Sequence, residues 1–283
     1  MSKPSKDSDA AHDKRLAGLV HADPKARFNL AKVDPGHKPF SVGDKAQDKA
    51  VVEELAQELD GLQNLFWADR RFKLLVVVQG MDACGKDGTL RHVFGRMTPL
   101  GVHAVSWRAP SEEERSHDFL WRIHQRAPAA GEIVLFNRSH YEDVLVPVVK
   151  RQLTGKQIAQ RYAQINDFER MLTEHGTVIL KYMLHISRDE QRLRLQDRLD
   201  DPAKHWKFLP EDLEVRKHWD AYQDAYADAL SATGTPWAPW TVVPADSKTH
   251  RNLMIATLVA RALKALNLRF PEGDPALRDV RVE

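Results

Sequence analysis

Short apolar runs alternate along this chain with longer stretches whose apolar residues recur every three or four positions. Leu74, Leu75, Val76, Val77 and Val78 are consecutive and rich in β-branched side chains, as in a strand buried on both faces. Similar runs at 102–107, 132–136, 177–186 and 240–244 predict four more strands. Val52, Leu55, Leu59, Leu62 and Phe66 mark an amphipathic helix over 45–67, and Ile158, Tyr162, Ile165, Phe168 and Leu172 mark another over 156–174. Ser111 followed by Glu114 is a capping-box pattern for a short helix, with a second short helix over 119–125. A highly charged helix covers 188–200, helix resumes over 211–232, and Leu253, Leu258, Val259, Leu263 and Leu266 mark the last helix.

This alternation predicts an α/β fold: a three-layer sandwich with a mainly parallel five-stranded sheet, helices on both faces and right-handed crossovers. Residues 1–43, poor in apolar side chains, are expected to be extended and in part disordered, as far as about Arg15. The domain then runs over 44–270, and 271–283 form a tail.

Ligands on such sheets bind at the carboxyl ends of the strands. The first predicted strand leads into Gly80, followed by Gly85 and Lys86 at the G-x-x-x-x-G-K spacing of a phosphate-binding loop, and then into a helix carrying Leu90, Val93, Phe94 and Met97. A strand before and a helix after are the context such a motif needs. Glycines let the backbone curl around an anion, successive N–H groups face its oxygens, and Lys86 adds a full charge. Gly80, Ala83, Cys84, Gly85, Lys86, Asp87 and Gly88 are the candidate cradle, with Arg91 one turn further on. Two positions depart from the usual pattern. Asp87 stands where a Ser or Thr hydroxyl would ligate Mg²⁺, and Asp82 puts a carboxylate among the phosphates. Asp82 either helps to hold Mg²⁺ or shapes the loop as an Asx turn. Cys84, near Lys86 and a helix N-terminus, is either a reactive thiolate or a buried, inert thiol.

A second polar segment, Asn137 to Asp143, follows the third apolar strand and is expected at the same sheet edge. Arg138 sits where it could reach a transferred phosphoryl group. Phosphoryl transfer needs positioning and cations more than covalent chemistry. Lys86 and Arg138 can supply the protein charge, and Asp143 with Asp82 can hold the metal. Glu142 and Asp143 also read as ordinary acidic residues in a first helical turn. The charged insertion over 188–211 is a candidate helical lid, in which Arg194 and Arg198 share a helix face. Glu190 and Arg194 equally make an i,i+4 pair on a solvated helix.

Composition narrows the classes. The formal charge of +2 is no signal for a nucleic-acid partner, and one cysteine excludes an internal disulfide, which fits a reducing compartment. No apolar run approaches the ~20 residues of a membrane span, and the N-terminus lacks a signal-peptide core. A cytoplasmic setting is expected.

GMDACGKDGT, FNRSHYEDVLV and RLQDRLDDPAKHWKF together resemble the three signatures of the family-2 polyphosphate kinases, in order and spacing, over about Arg27 to Pro244. Asp82 and Asp87 belong to that family's loop pattern. The resemblance implies a P-loop kinase fold similar to thymidylate kinase. It also implies reversible phosphate transfer between inorganic polyphosphate and AMP, ADP or ATP, with Mg²⁺ or Mn²⁺, in a homodimer or homotetramer. By motif position it makes Asp82, Lys86, Asn137, Arg138 and Asp143 the core site. It places Asn137, Arg138, Glu142, Arg194, Arg198 and Lys207 around the nucleotide. The overall pattern is most similar to the subgroup that accepts both AMP and ADP. An ATP-dependent nucleoside monophosphate kinase of the same fold is the alternative, against which Asp87 argues. A non-catalytic nucleotide or nucleic-acid binder is a third.

Overall fold

The computed structural model describes residues 14–276 and 280–282. Its elements in chain order begin with β1 (Val20–His21), α1 (Lys45–Asp69), β2 (Lys73–Gly80), α2 (Lys86–Thr89) and β3 (Val102–Ser106). Then come α3 (Glu112–Ser116), α4 (Trp121–His124), β4 (Ile133–Asn137), α5 (Glu142–Val149), α6 (Gly155–Glu174) and β5 (Thr177–His185). The last are α7 (Arg188–Asp200), α8 (Pro210–Lys217), α9 (Trp219–Thr233), β6 (Trp240–Pro244) and α10 (Lys248–Ala265).

The sheet order is β1-β6-β5-β2-β4-β3, with β2 to β6 parallel to their neighbours and β1 antiparallel on β6. The five predicted strands are the five parallel ones. The sheet has six strands because Val20 and His21 pair with Thr241 and Trp240, a two-residue contact with no periodicity to announce it. Leu74 to Val78 have no solvent exposure. Full burial of such side chains stabilises by about 1.5–3 kcal/mol each. Helices α1 and α10 form one covering layer, and α5, α6 and α9 pack together as the other. No helix among the described residues is long and apolar enough to cross a membrane.

Local signals explain the helix starts. Asp44, Ser111 and Thr154 each cap a helix through a reciprocal capping box. Helix α1 stops at Arg70, which turns into the left-handed region. The stretch over 211–232 is two helices, α8 and α9, separated at His218, whose φ of −97° and ψ of 25° interrupt the helical run.

The N-terminal segment is tied down more firmly than its polarity suggests. Leu19, Phe28, Leu30, Val33 and Phe40 are all buried in the core. The Phe40 N–H donates to His250 Nε2 at 3.1 Å, and the Phe28 N–H to Ser231 Oγ at 2.9 Å. The stretch expected to be disordered lies outside the described residues as far as 13; Lys14 and Arg15 begin a helical turn.

The register sets the site. Val78, two residues before the loop, pairs with Asn137 at the end of β4 and with Tyr182 on β5. The glycine loop and the Asn137 segment therefore leave the same edge of the sheet side by side, as the sequence predicts.

Candidate active site

The loop between β2 and α2 curls as an anion cradle must. Gly80 has φ of 146° and Gly85 φ of 105°. A Cβ on Gly80 would lie 2.6 Å from Leu184 O, and one on Gly85 would lie 1.9 Å from Arg251 Nη1. Neither position accepts a side chain without a shift. Ala83, at φ of 62°, shares the left-handed bend. Lys86 is buried, and its ammonium donates to Gly80 O at 2.7 Å and Met81 O at 3.2 Å. After α2 the chain passes into one π turn, Leu90–Phe94, a distortion often found near functional sites.

A cavity of about 490 Å³ opens over the loop. Of the predicted cradle, Asp82, Ala83, Gly85, Lys86, Asp87 and Gly88 line it. Gly80 and Cys84 support it from beneath; Cys84 has no exposure, with Sγ 3.8 Å from Lys86 Nζ, so the buried-thiol reading holds. Arg91 is exposed on the π turn and does not line the cavity.

The Asn137 segment meets the loop in two places. Asn137 Nδ2 donates to Asp87 Oδ1 at 2.6 Å, so the residue replacing the usual hydroxyl ties strand β4 to the loop. Arg138, at φ of 64°, bridges two acids: Nη2 donates to Asp82 Oδ1 at 2.6 Å and Nη1 to Glu142 Oε2 at 3.1 Å. Burial works against its charge, but Glu142 and Asp82 outweigh burial and raise its pKa above the ordinary guanidinium range. Asn137 and Arg138 both line the large cavity; Glu142 lines a smaller one of about 160 Å³ behind it, together with Asp82 and Arg138.

Asp143 is placed differently from its predicted role beside Asp82. It lines neither cavity, and its Oδ2 accepts from Arg122 Nη2 at 2.9 Å. The reason is the start of α5: Asp143 faces Arg122, which is buried against the Trp107 ring and is also bonded to Arg108 O. The acids that line the cavity with Asp82 are Asp87, Asp197 and Asp212, the last at the start of α8. Burial raises the Asp212 pKa, and the Asp82 charge raises it further. Asp212 Oδ2 accepts from Arg198 Nη1 at 3.2 Å.

The predicted lid divides in two. Helix α7 is anchored: Arg194 is buried and donates to Ala83 O at 3.1 Å, Cys84 O at 2.9 Å, Ala245 O at 2.7 Å and Asp246 O at 2.8 Å. Gln191 Nε2 donates to Asp82 O at 2.9 Å. Arg194 thus supports the loop from below while lining its cavity, where the sequence placed it beside the nucleotide. The other part is the 3-10 turn Pro202–Lys207, held to α7 by Lys204 on Asp197 and by Arg198 Nη1 donating to Lys207 O, with Trp206 75% exposed and Lys207 over its ring. Arg198, Lys204, Trp206 and Lys207 overhang the cavity.

Arg251 carries no sequence signal and is central here. It is buried on α10, donates to Cys84 O at 2.9 Å and to Asn252 Oδ1, and lines the cavity. Burial, then the charge of Arg194, lower its pKa to about 10. A divalent cation fits this donor set at Asp82, since Mg²⁺ is usually held by one or two carboxylates plus substrate phosphates.

A glycine cradle at a helix start, on the carboxyl edge of a parallel sheet and ringed by lysines and arginines, defines a P-loop phosphotransferase site. The family model for Polyphosphate kinase 2 matches residues 42–271. The chain is 45% identical to the AMP/ADP-polyphosphate phosphotransferase of Meiothermus ruber, over 92% of this chain and 97% of that one. It is 39% identical to the ADP-polyphosphate phosphotransferase of Rhodopseudomonas palustris, over 87% and 91% respectively. The crystal structure of polyphosphate kinase 2 from Arthrobacter aurescens superposes with a TM-score of 0.85 at 44% identity, covering 90% of this chain and 94% of that one. The chain belongs to the polyphosphate kinase 2 family.

Proposed function

We propose that this protein transfers the terminal phosphoryl group of inorganic polyphosphate to AMP and ADP, and runs the transfer in reverse. The observation that carries the reading is the net positive cavity over the loop. Of its buried guanidiniums, Arg194 is bonded to four backbone carbonyls and paired with Glu190, while Arg251 is bonded to Cys84 O and Asn252 Oδ1 with no acid partner among the described residues, so the charge of Arg251 is left for a ligand. The names of the Meiothermus and Rhodopseudomonas relatives support the donor and acceptors. The ATP-dependent alternative is not favoured.

Lys86 and the loop N–H groups hold the phosphates at the point of transfer. Arg138, oriented by Asp82 and Glu142, offsets charge on the moving group. Asp82 would hold Mg²⁺, or Mn²⁺ in its place, and that ion would supply further charge neutralisation on the phosphates. Asp143 acts through Arg122, which packs on the Trp107 at the cavity wall. Arg198 and Lys207 close over the nucleotide. The catalytic unit comprises 44–270, with its lid over 188–211, working in the cytoplasm as a dimer or tetramer.

A donor swap tests the reading. Protein freed of bound nucleotide is incubated with Mg²⁺ and AMP or ADP, with either polyphosphate or ATP, and products are separated by anion exchange. ADP and ATP are expected from polyphosphate. Efficient phosphorylation of a nucleoside monophosphate by ATP, with none from polyphosphate, overturns it.

A further inference from the structure

A second concavity, of about 560 Å³, shares a wall with the phosphate cavity. Gly36, Lys38, Lys45, Glu190, Asp246 and Lys248 line it, and Lys248 lines the phosphate cavity as well. The ammonium groups of Lys38, Lys45 and Lys248 make no hydrogen bond or ion pair among the described residues. Of the two carboxylates in the groove, Glu190 is paired with Arg194 Nε at 2.7 Å, and Asp246, whose Oδ1 accepts from the Ser187 N–H at 2.8 Å, is the one negative charge set against the three lysines. Free positive charge therefore dominates the groove.

The groove is also preformed. The Asp246 N–H donates to Pro35 O at 3.1 Å, and Phe40 is held by His250, so the 35–40 loop is seated against the start of α10. Lys45 opens α1 and Lys248 opens α10, so the positive ends of two long helices lie beside the lysines. Burial and then the Arg194 charge lower the pKa of Lys248; the charge of an anion beside it would offset both effects.

A polyphosphate chain much longer than the site must leave the phosphate cavity somewhere. The lid side, with Arg198, Lys204 and Lys207, is where the nucleotide is placed. Resting on the donor assignment above, we infer that the chain leaves over Lys248 and that its distal phosphates lie in the Lys38–Lys45 groove. This gives the folded N-terminal segment a role in substrate binding.

The test uses the full chain and the double variant Lys38→Ala/Lys45→Ala, with KM measured for long-chain polyphosphate and for tripolyphosphate. Removing two exposed lysine charges should raise the long-chain KM roughly three- to tenfold. The KM for tripolyphosphate and for ADP, the kcat at saturation and the thermal midpoint should be unchanged, and Lys38→Arg/Lys45→Arg should behave as wild type. The long-chain KM of the Ala variant should also rise less steeply with salt. An unchanged long-chain KM in an enzyme that uses polyphosphate means that the chain leaves elsewhere, and the donor reading stands. Equal KM shifts for both chain lengths would reduce the groove to a general electrostatic effect and overturn the inference. A wild type that takes no phosphate from polyphosphate overturns both readings.

Discussion

Two groups of buried cations lie on either side of the Asn137–Asp143 segment, and they are built on opposite principles. In the core, Lys181 is buried and donates to Glu169 Oε2 at 2.6 Å, Tyr141 Oη at 2.9 Å and Thr233 O at 2.7 Å. Glu169 also accepts from Tyr141 Oη at 2.8 Å and lies 3.2 Å from His140 Nε2. Burial opposes ionisation of Glu169, but Lys181 and His140 outweigh it and hold its pKa below the ordinary range. The charges cancel inside. Beneath the loop, Arg251 has no acid partner among the described residues, and Arg194 meets four carbonyls and a single acid there, Glu190. The charges do not cancel. Buried charge paired with its opposite fixes structure; buried charge held by carbonyls leaves a field for an anion to complete.

The comparison breaks most sharply on stability. Glu169→Gln or Lys181→Met leaves one buried partner uncompensated and should lower unfolding free energy by about 3–5 kcal/mol. The double change removes both charges and should recover much of that loss. Urea unfolding decides it: two single variants near wild type would mean that the pair contributes nothing to the fold.

Lys86→Ala should act on turnover and leave the fold intact. Removing one charge-assisted phosphate interaction in such a site lowers kcat by about 10²–10³-fold. Circular dichroism alongside the polyphosphate assay separates the two effects, and near wild-type turnover would remove the loop from the reaction.

Asp82→Asn should raise the free Mg²⁺ needed for half-maximal rate, whereas Asp143→Asn should move that curve less, because its carboxylate is held by Arg122. Equal shifts would return Asp143 to the metal.

A further effect is on pH. His250 accepts the Phe40 N–H at Nε2 and must be neutral there. Burial chiefly lowers its pKa from 6.5 to about 4. Because the folded value is depressed, its contribution to stability is full above 6.5 and declines as pH falls towards 4. Thermal midpoints across that window should fall less in His250→Gln than in wild type.

The five parallel strands, the capped helices and the loop are legible in the sequence because each rests on local rules: β-branched runs, apolar periodicity, capping boxes and the glycine spacing. The same holds for Lys86 and Arg138, each placed by the strand before it. Helix α5 does not stand out from the strand end because Pro147 interrupts its short apolar run. Strand β1 and the burial of Phe40 depend on partners more than 200 residues away. Distance along the chain also hides Arg251, whose role comes only from α10 bringing it to Cys84. It hides the fate of Asp143 as well, since an acid in a first helical turn reads alike whether it faces a metal or Arg122. Local sequence thus determined which backbone can cradle phosphate, since φ preferences and strand burial are properties of neighbouring residues. Which charges remain uncancelled around that cradle was decided only when the sheet order brought α7, α8 and α10 to one edge, because electrostatic pairing depends on distance in space.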